Sequence, residues 1–328
     1  MDGFDIAGWG MAVPERRVTT TELAARFDID EEWIISRCGI HERRAIDPGQ
    51  STASLAIDAG RVALERAGLT GKDIAHLIVA SATPEQLSPA TSAFVHHGLG
   101  IAGSAHDVNA ECSGFIYGLV TGAALMKVDP RPILLIGSDT HSTQINPADR
   151  DLSILVGDGA GAIVLKPTET DWVLAWNLGA DGSRQDSLRV QAGGSRMPTS
   201  ATTFADGLHF SEIKGNEIYL NAVRFTVRSV RATLEQAGLT VDDVDHFVPH
   251  QANIRIINSI LDHTGLKPEK LVTNLWKYGN TASASMPIAM SEALDEGRFK
   301  DGDLVLLAGF GAGMTWGSAL LKWGGVSA

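Results

Sequence analysis

Two stretches of this 328-residue chain repeat each other. Segment 61–82, RVALERAGLTGKDIAHLIVASA, aligns without gaps on 231–252, RATLEQAGLTVDDVDHFVPHQA. Ten of the 22 positions are identical, among them Gly68/Gly238, Thr70/Thr240, Asp73/Asp243 and His76/His246. Average compositions yield about one or two chance matches over such a window. A fainter echo, ILLIGSD (133–139) on LVLLAGF (304–310), falls at an offset of 171, against 170 for the first. The simplest account is one βα-rich topology used twice, with an N-terminal half over 1–170 and a C-terminal half over 171–328. Two such halves leave a cleft between them, where α/β proteins usually place their chemistry.

Short apolar runs bounded by Gly, Pro or Asp recur at 76–83, 131–139, 160–165, 245–250 and 303–310. They read as strands buried on both faces. Helical patterns over 53–68 and 216–238 alternate with such runs, so the fold class is α/β. Turn formers concentrate in 180–215, the loosest segment.

Composition sets limits on function. The length fits two domains or one large α/β unit, able to bury a core without disulfide or metal. The balance of 27 basic against 39 acidic residues, a net −12, argues against nucleic-acid binding and against an anionic membrane as partner. No apolar stretch reaches the ~18–20 residues needed to span a bilayer. The opening MDGFDIAGWGM lacks the basic and apolar regions of a signal peptide. With only Cys38 and Cys112, a reducing, cytoplasmic setting is expected, in which a cysteine is buried filler or a working thiol.

Cys112 follows a strand end or turn at 107–110 and precedes a helical pattern from about Ser113 to Lys127. A helix N-terminus favours thiolate through unpaired N–H groups and the positive end of the dipole. Alone, that does not outweigh the commoner fate of a cysteine, burial as a small apolar residue. Gly114, Gly118 and Gly122 make a smooth face that lets another backbone or a ligand come close. His250 projects from the carboxyl end of an apolar strand stopped by Pro249. A carbonyl-bonded histidine would look the same there. Asn280 lies in a turn feeding a helix, where it can equally be an N-cap. Finally, LLAGFGAGMTWGSAL runs a strand into Gly309, Gly311 and Gly313, a turn able to offer backbone N–H groups to a developing oxyanion. Its spacing fits neither a dinucleotide fingerprint nor a P-loop.

Together these motifs form a recognisable set. WIISRCGIHERR (33–44), ECSGF (111–115), DRDLSILVGDGAGA (149–162), KGNE (214–217), VPHQANIR (248–255), YGNTASASMP (278–287) and GFGAGMTWGSAL (309–320) follow one another in order. The chain resembles, nearly end to end, β-ketoacyl-acyl-carrier-protein synthase III among the thiolase-like condensing enzymes. The resemblance implies a five-layer αβαβα fold and a catalytic triad of Cys112, His250 and Asn280. It implies an oxyanion hole from the N–H groups of Cys112 and Ala312, the latter a glycine in many relatives. Trp33, Arg37, Arg150, Asn216 and Arg255 match contacts to coenzyme A and its pantetheine arm.

The reaction implied is a decarboxylative Claisen condensation of an acyl-CoA starter with a malonyl thioester, malonyl-acyl-carrier protein, through an acyl-cysteine. It needs no cofactor and no metal, and the family is usually a homodimer. The acyl pocket is expected to borrow a residue near Leu87 from the partner subunit. Relatives often carry paired lysines beyond the HQANxR motif, whereas this chain reads LDHTG at 261–265. Arg224, Arg228 and Arg231 share one helical face and, with Arg255, are the candidates to meet an acidic carrier protein. Thiolases carry a second cysteine in the C-terminal glycine loop, and elongating synthases a histidine where Asn280 stands; this chain has neither. An acyltransferase or acyl-priming protein and a silent scaffold remain as alternatives. Glu111 departs from the small residue common in relatives, and a carboxylate beside the thiol should raise its pKa.

Overall fold

The computed structural model describes residues 3–169 and 172–324, so the expected boundary between residues 170 and 171 lies outside the described residues. Strand β1 (Gly3–Ala12) is followed by a short pair, β2 (Arg17–Thr19) and β3 (Glu42–Arg44), enclosing helices α1 (Thr20–Phe27) and α2 (Glu31–Cys38). Next come α3 (Thr52–Arg66), β4 (His76–Ala80), α4 (Thr91–Leu99), β5 (Ser104–Val108), α5 (Gly114–Val128) and β6 (Ile133–Thr140). A short α6 (Arg150–Ser153) leads into β7 (Asp158–Thr168). Then β8 (Val173–Ala180) precedes the small pair β9 (Leu188–Val190) and β10 (Ser211–Ile213), which flank α7 (Ala201–Ala205). The chain ends with α8 (Gly215–Ala237), β11 (His246–Pro249), α9 (Ile254–Thr264), α10 (Leu275–Tyr278), α11 (Ser285–Asp295), β12 (Leu304–Gly311) and β13 (Thr315–Lys322).

Two sheets result, ordered β1-β7-β6-β4-β5 and β8-β13-β12-β11. In each, a parallel pair (β4 with β6, β11 with β12) continues into antiparallel neighbours. Beside β11, Leu271 bridges Phe247 in parallel, in the place that β5 holds beside β4. The repeated residues build the same corner twice. Gly68 and Gly238 take left-handed φ of 64° and 67° after α3 and α8, a conformation glycine adopts without steric penalty. The N–H groups of Thr70 and Thr240 each donate 2.8 Å to the carboxylate three residues on, Asp73 and Asp243.

Helices α3 and α4 contact the first sheet and α8 lies on the second with α9 packed beside it, while α5 touches β4 and β6 on one side and β12 and β13 on the other. Helix α11 lies beside α5 in the same layer, against β7, β1 and β11. These are the five layers, αβαβα, that the resemblance implied. The sequence dictates the placement. Helix α5 is apolar nearly all round, with Phe115, Ile116, Leu119 and Met126 buried, and such a helix must be covered on every side. Helix α8 alternates buried Ile218, Ala222, Phe225 and Val230 with outward arginines, so one face stays in water. The glycines of α5 serve this packing rather than a ligand: a Cβ at Gly118 would lie 2.6 Å from Leu135 Cδ1. Among the described residues no helix is long and apolar enough to cross a membrane.

Candidate active site

The turn that carries Cys112 is built twice. Residues 109–114 read NAECSG, and 171 positions later residues 280–285 read NTASAS. In both, the asparagine Oδ1 accepts the N–H two residues on, from Glu111 at 3.0 Å and from Ala282 at 2.9 Å. That second residue is left-handed, φ 52° at Glu111 and 46° at Ala282, a strained state for a residue with a Cβ. A 3-10 turn follows each, and then a buried helix, α5 or α11. By this correspondence Cys112 matches Ser283, and Asn280 matches Asn109. Asn280 is therefore the head of an Asx turn and not the N-cap of α11.

A cavity of about 350 Å³ is lined by Cys112, His250 and Asn280, and also by Trp33, Arg37, Arg150, Asn216, Arg255 and Ala312. The three candidate catalytic side chains, drawn from both sheets, thus open into one space. His250 follows β11, where its N–H donates to Ala308 O at 2.8 Å. Asn280 is pinned to the first half: its N–H donates to Leu155 O at 2.8 Å and its carbonyl accepts Gly157 N–H at 2.9 Å. Ala312 sits in the β12–β13 hairpin. Neither the Cys112 N–H nor the Ala312 N–H donates to another residue among the described residues, which leaves both available to a substrate oxygen.

The expected thiolate is not the resting state. Burial, then the nearby Glu111 and Asp139 carboxyls, push the Cys112 thiol well above its ordinary 9.0. Helix α5 begins only at Gly114, so the sulfur lies in the turn before it, and desolvation outweighs the dipole. The Glu111 carboxyl itself is raised from 4.5 to about 7, by burial and by Asp139. His250 is lowered from 6.5 to about 3, mainly by burial and secondarily by His141, so its imidazole is neutral. Its Nδ1 lies 2.8 Å from Ser285 Oγ, which also accepts the Gln251 N–H at 3.3 Å. The single Ser285 hydroxyl proton is then free to go to Nδ1, which places the ring proton on Nε2. The Asn280 Oδ1 is engaged by Ala282, so its Nδ2 is the free donor.

Trp33 is flanked by two guanidinium groups, Arg37 at 4.3 Å and Arg150 at 5.1 Å from the ring centroid. Arg150 also pairs with Asp151 at 2.6 Å. Asn216 is exposed in the first turn of α8, and Arg255 lies 5.7 Å from the Tyr219 ring. Arg224 and Arg228 do not reach the cavity. With Arg231 they line a groove of about 730 Å³ between α8 and α9, which shares Tyr219 with the cavity wall. Leu87 is 84% exposed and does not line this cavity.

Sequence reasoning missed three neighbours. Ser285 orients His250 and Phe310 meets that ring edge-on at 5.6 Å. Cys38, remote from Cys112 in the chain, lies in the same cavity wall with its thiol donating to Ile34 O at 3.1 Å. Ser285 was within the YGNTASASMP motif, but nothing in the sequence tied it to His250. Among the described residues no group of three or more His, Cys, Asp or Glu is arranged to hold a metal.

Comparison with known proteins gives the family. Residues 106–182 match the family model of 3-oxoacyl-[acyl-carrier-protein] synthase III, and residues 234–323 match the model of its C-terminal part. The chain is 45% identical to a β-ketoacyl-[acyl-carrier-protein] synthase III of Symbiobacterium thermophilum, covering 97% of this chain and 98% of that one. A synthase III of Roseiflexus castenholzii is 42% identical, covering 97% of each. Among solved structures, the synthase III of Thermus thermophilus superposes with a TM-score of 0.91 at 37% identity, covering 98% of this chain and all of that one. The priming β-ketosynthase of the R1128 polyketide pathway gives 0.91 at 31%, covering 99% and 97%. Fold and cavity define a thiolase-like condensing enzyme. More narrowly, the chain belongs to the β-ketoacyl-[acyl-carrier-protein] synthase III family.

Proposed function

We propose that the protein joins an acyl-CoA starter to malonyl-acyl-carrier protein by decarboxylative Claisen condensation, initiating fatty-acid or polyketide-type synthesis. The observation that carries this reading is the meeting of Cys112, His250 and Asn280 in one cavity whose outer wall holds Trp33, Arg37 and Arg150. In the first half-reaction the Cys112 sulfur attacks the starter thioester. Its carbonyl oxygen is received by the N–H groups of Cys112 and Ala312. Because the thiol rests protonated, its proton must leave during attack. For His250 Nε2 to take it, the neutral ring must stand in its other tautomer, with Nδ1–H donating to Ser285 Oγ; water removes the Nε2 proton and supplies the Nδ1 proton between half-reactions, and Nε2 then passes the thiol proton to the departing CoA sulfur.

In the second half-reaction the malonyl carboxylate leaves as carbon dioxide, and the electron pair passes into an enolate. The enolate oxygen is met by neutral donors, His250 Nε2–H and Asn280 Nδ2–H. The enolate carbon then attacks the acyl-cysteine carbonyl, a carbon–carbon bond forms, and the Cys112 thiolate is expelled and takes up one proton. A neutral imidazole suits this step, since its N–H can donate without a counter-charge.

The nucleotide end of coenzyme A is assigned to Trp33, Arg37 and Arg150, and the pantetheine arm to Asn216 and Arg255. An adenine stacking on Trp33 displaces one of the two guanidiniums that now cover the ring. Arg224, Arg228 and Arg255 are assigned to the carrier protein: Arg224 and Arg228 are exposed, and neither is in an ion pair among the described residues. A homodimer, with Leu87 completing the partner's acyl pocket, accounts for so exposed an apolar side chain. The halves 1–170 and 171–328 are read as products of duplication, the reaction as cofactor-free, and the location as cytoplasmic, consistent with both cysteines being unpaired thiols.

The test is to supply acyl-CoA and malonyl-carrier protein and to identify products by mass spectrometry. The proposal expects carbon dioxide and a 3-oxoacyl-carrier protein. Acyl-carrier protein without carbon dioxide would identify an acyltransferase instead.

A further inference from the structure

The second copy of the nucleophile turn also presents a backbone N–H that could hold an anion, and the protein fills that place with a side chain of its own. In the first copy the Cys112 N–H donates to no other residue, and Cys112 lines the cavity. In the second copy Ser283 stands in the position of Cys112, and its N–H donates to Asp139 Oδ2 at 2.9 Å, with its hydroxyl shared between the same oxygen and Ala80 O. Asp139 is fully buried at the end of β6. Its Oδ1 accepts the N–H groups of Ala82 at 2.8 Å and Thr83 at 2.9 Å, and the hydroxyls of Thr83 at 2.9 Å and Ser81 at 3.2 Å. So many donors on one buried carboxylate fix it firmly. The approach is possible because residue 137 is glycine, where a Cβ would lie 2.5 Å from Ser283 O. A carboxylate anchored in the first sheet thus clamps a turn of the second half. That turn begins at Asn280, whose Oδ1 holds the Ala282 N–H just before Ser283.

We propose that Asp139 is a positioning residue for Asn280: its carboxylate takes, in the second copy of the turn, the oxyanion place that the first copy leaves open to substrate, and by fixing Ser283 it sets the direction of the Asn280 carboxamide. The inference rests on the reading of Asn280 as a donor to the enolate. It predicts that the two half-reactions respond differently. Acylation uses the N–H groups of Cys112 and Ala312, not Asn280. Decarboxylation uses Asn280 and depends on the clamp.

The experiment measures single-turnover acylation of Cys112 by acyl-CoA, and carbon dioxide release from malonyl-carrier protein, in Asp139→Ala, Ser283→Ala, Asn280→Ala and the two double variants with Asn280→Ala. Asp139→Ala should lower decarboxylation about 10²-fold, the scale of losing one oxyanion donor. Acylation should not fall more than about threefold below the wild type, because none of its donors depends on the clamp and loss of the Asp139 charge only eases ionisation of the Cys112 thiol. Ser283→Ala, which keeps the N–H bond, should lose about fivefold, a single hydrogen bond's worth. Adding Asn280→Ala to either should cause less than about threefold further loss beyond Asn280→Ala alone, since residues acting through one another are not additive. Additive losses, or acylation falling in step with decarboxylation, would overturn the proposal by showing that Asp139 merely supports the fold. If Asp139→Ala does not fold, the Ser283→Ala cycle decides by the same criterion. A wild type that acylates but releases no carbon dioxide would overturn the condensation reading, and this inference with it. One that condenses but shows additive cycles would overturn this inference alone.

Discussion

Replacing Gly311 with alanine tests how closely the C-terminal glycine hairpin is fitted to the nucleophile turn. Gly311 does not take a positive φ, so alanine meets no backbone penalty and the obstacle is purely steric. The added Cβ would lie 2.7 Å from Glu111 Cβ, 2.8 Å from Cys112 N and 2.9 Å from Ala110 O. All three are backbone or Cβ atoms of the turn, with no flexible side-chain end to swing aside. Ordinary contact begins near 3.4 Å, so the hairpin and the turn must part by roughly 0.6 Å; a misplacement of ~1 Å in a site costs about 10²-fold, which puts the loss in acylation rate at roughly 10- to 100-fold. Overpacking of this kind also lowers stability by ~1–3 kcal/mol. Rapid-quench intact-mass measurement of Cys112 acylation, with Tm in parallel, reads both effects. Gly182→Ala serves as the control, because a Cβ there meets nothing within 4 Å. A Gly311→Ala protein that acylates at the wild-type rate with unchanged Tm would refute the claim that hairpin and turn together shape the oxyanion hole.

Other perturbations reach other parts of the account. Ser285→Ala removes the partner of His250 Nδ1 and should lower kcat for condensation by about 10- to 100-fold while KM for the malonyl substrate changes little; steady-state kinetics check it. Glu111 is raised from 4.5 to about 7, so the folded state holds an extra proton across that window, and the stability it contributes at lower pH is lost as pH rises through about 7. Glu111→Gln should therefore flatten the fall in Tm from about pH 5 to pH 8, and should lower the midpoint of the Cys112 alkylation profile, since one source of the raised thiol pKa is gone. Trp33→Ala should raise KM for acyl-CoA about tenfold, yet leave the short acyl-N-acetylcysteamine thioester unaffected, as compared by initial rates with each donor. Reversing Arg228 and Arg255 to Glu should raise KM for malonyl-carrier protein more than for malonyl-pantetheine; equal effects would end the docking assignment.

Much of the architecture was legible because the chain writes it twice. Gly68 and Gly238, with the Thr–Asp pairs beyond them, encode the same helix-to-strand corner, and the buried strands announce themselves as apolar runs. Strands β1, β8 and β13 were not read, because their glycines and mixed polarity break both the apolar run and the alternation that mark a strand. The cysteine, histidine and asparagine were legible through the motifs around them. What was not legible depends on three-dimensional neighbours. The protonation of Cys112 follows first from burial that no local pattern reports, then from Glu111, which was read beside it, and from Asp139, 27 positions away, which was not. The correspondence of NAECSG with NTASAS shares only its asparagine at a matching position, so the common turn appears only in the backbone, in two left-handed residues. The α5 glycines were left open for the same reason: a smooth helix face fits a ligand or a strand equally well until Leu135 is seen against it.

The central claim is that Cys112 carries the acyl group between two half-reactions run in one cavity. It is tested most directly by rapid-quench mass spectrometry of the peptide containing Cys112 through a single turnover. The account predicts that acyl-CoA alone loads that peptide, and that malonyl-carrier protein then unloads it with one carbon dioxide released per 3-oxoacyl product formed. An acyl group found on another residue, or one that leaves Cys112 for the carrier without carbon dioxide, would contradict it.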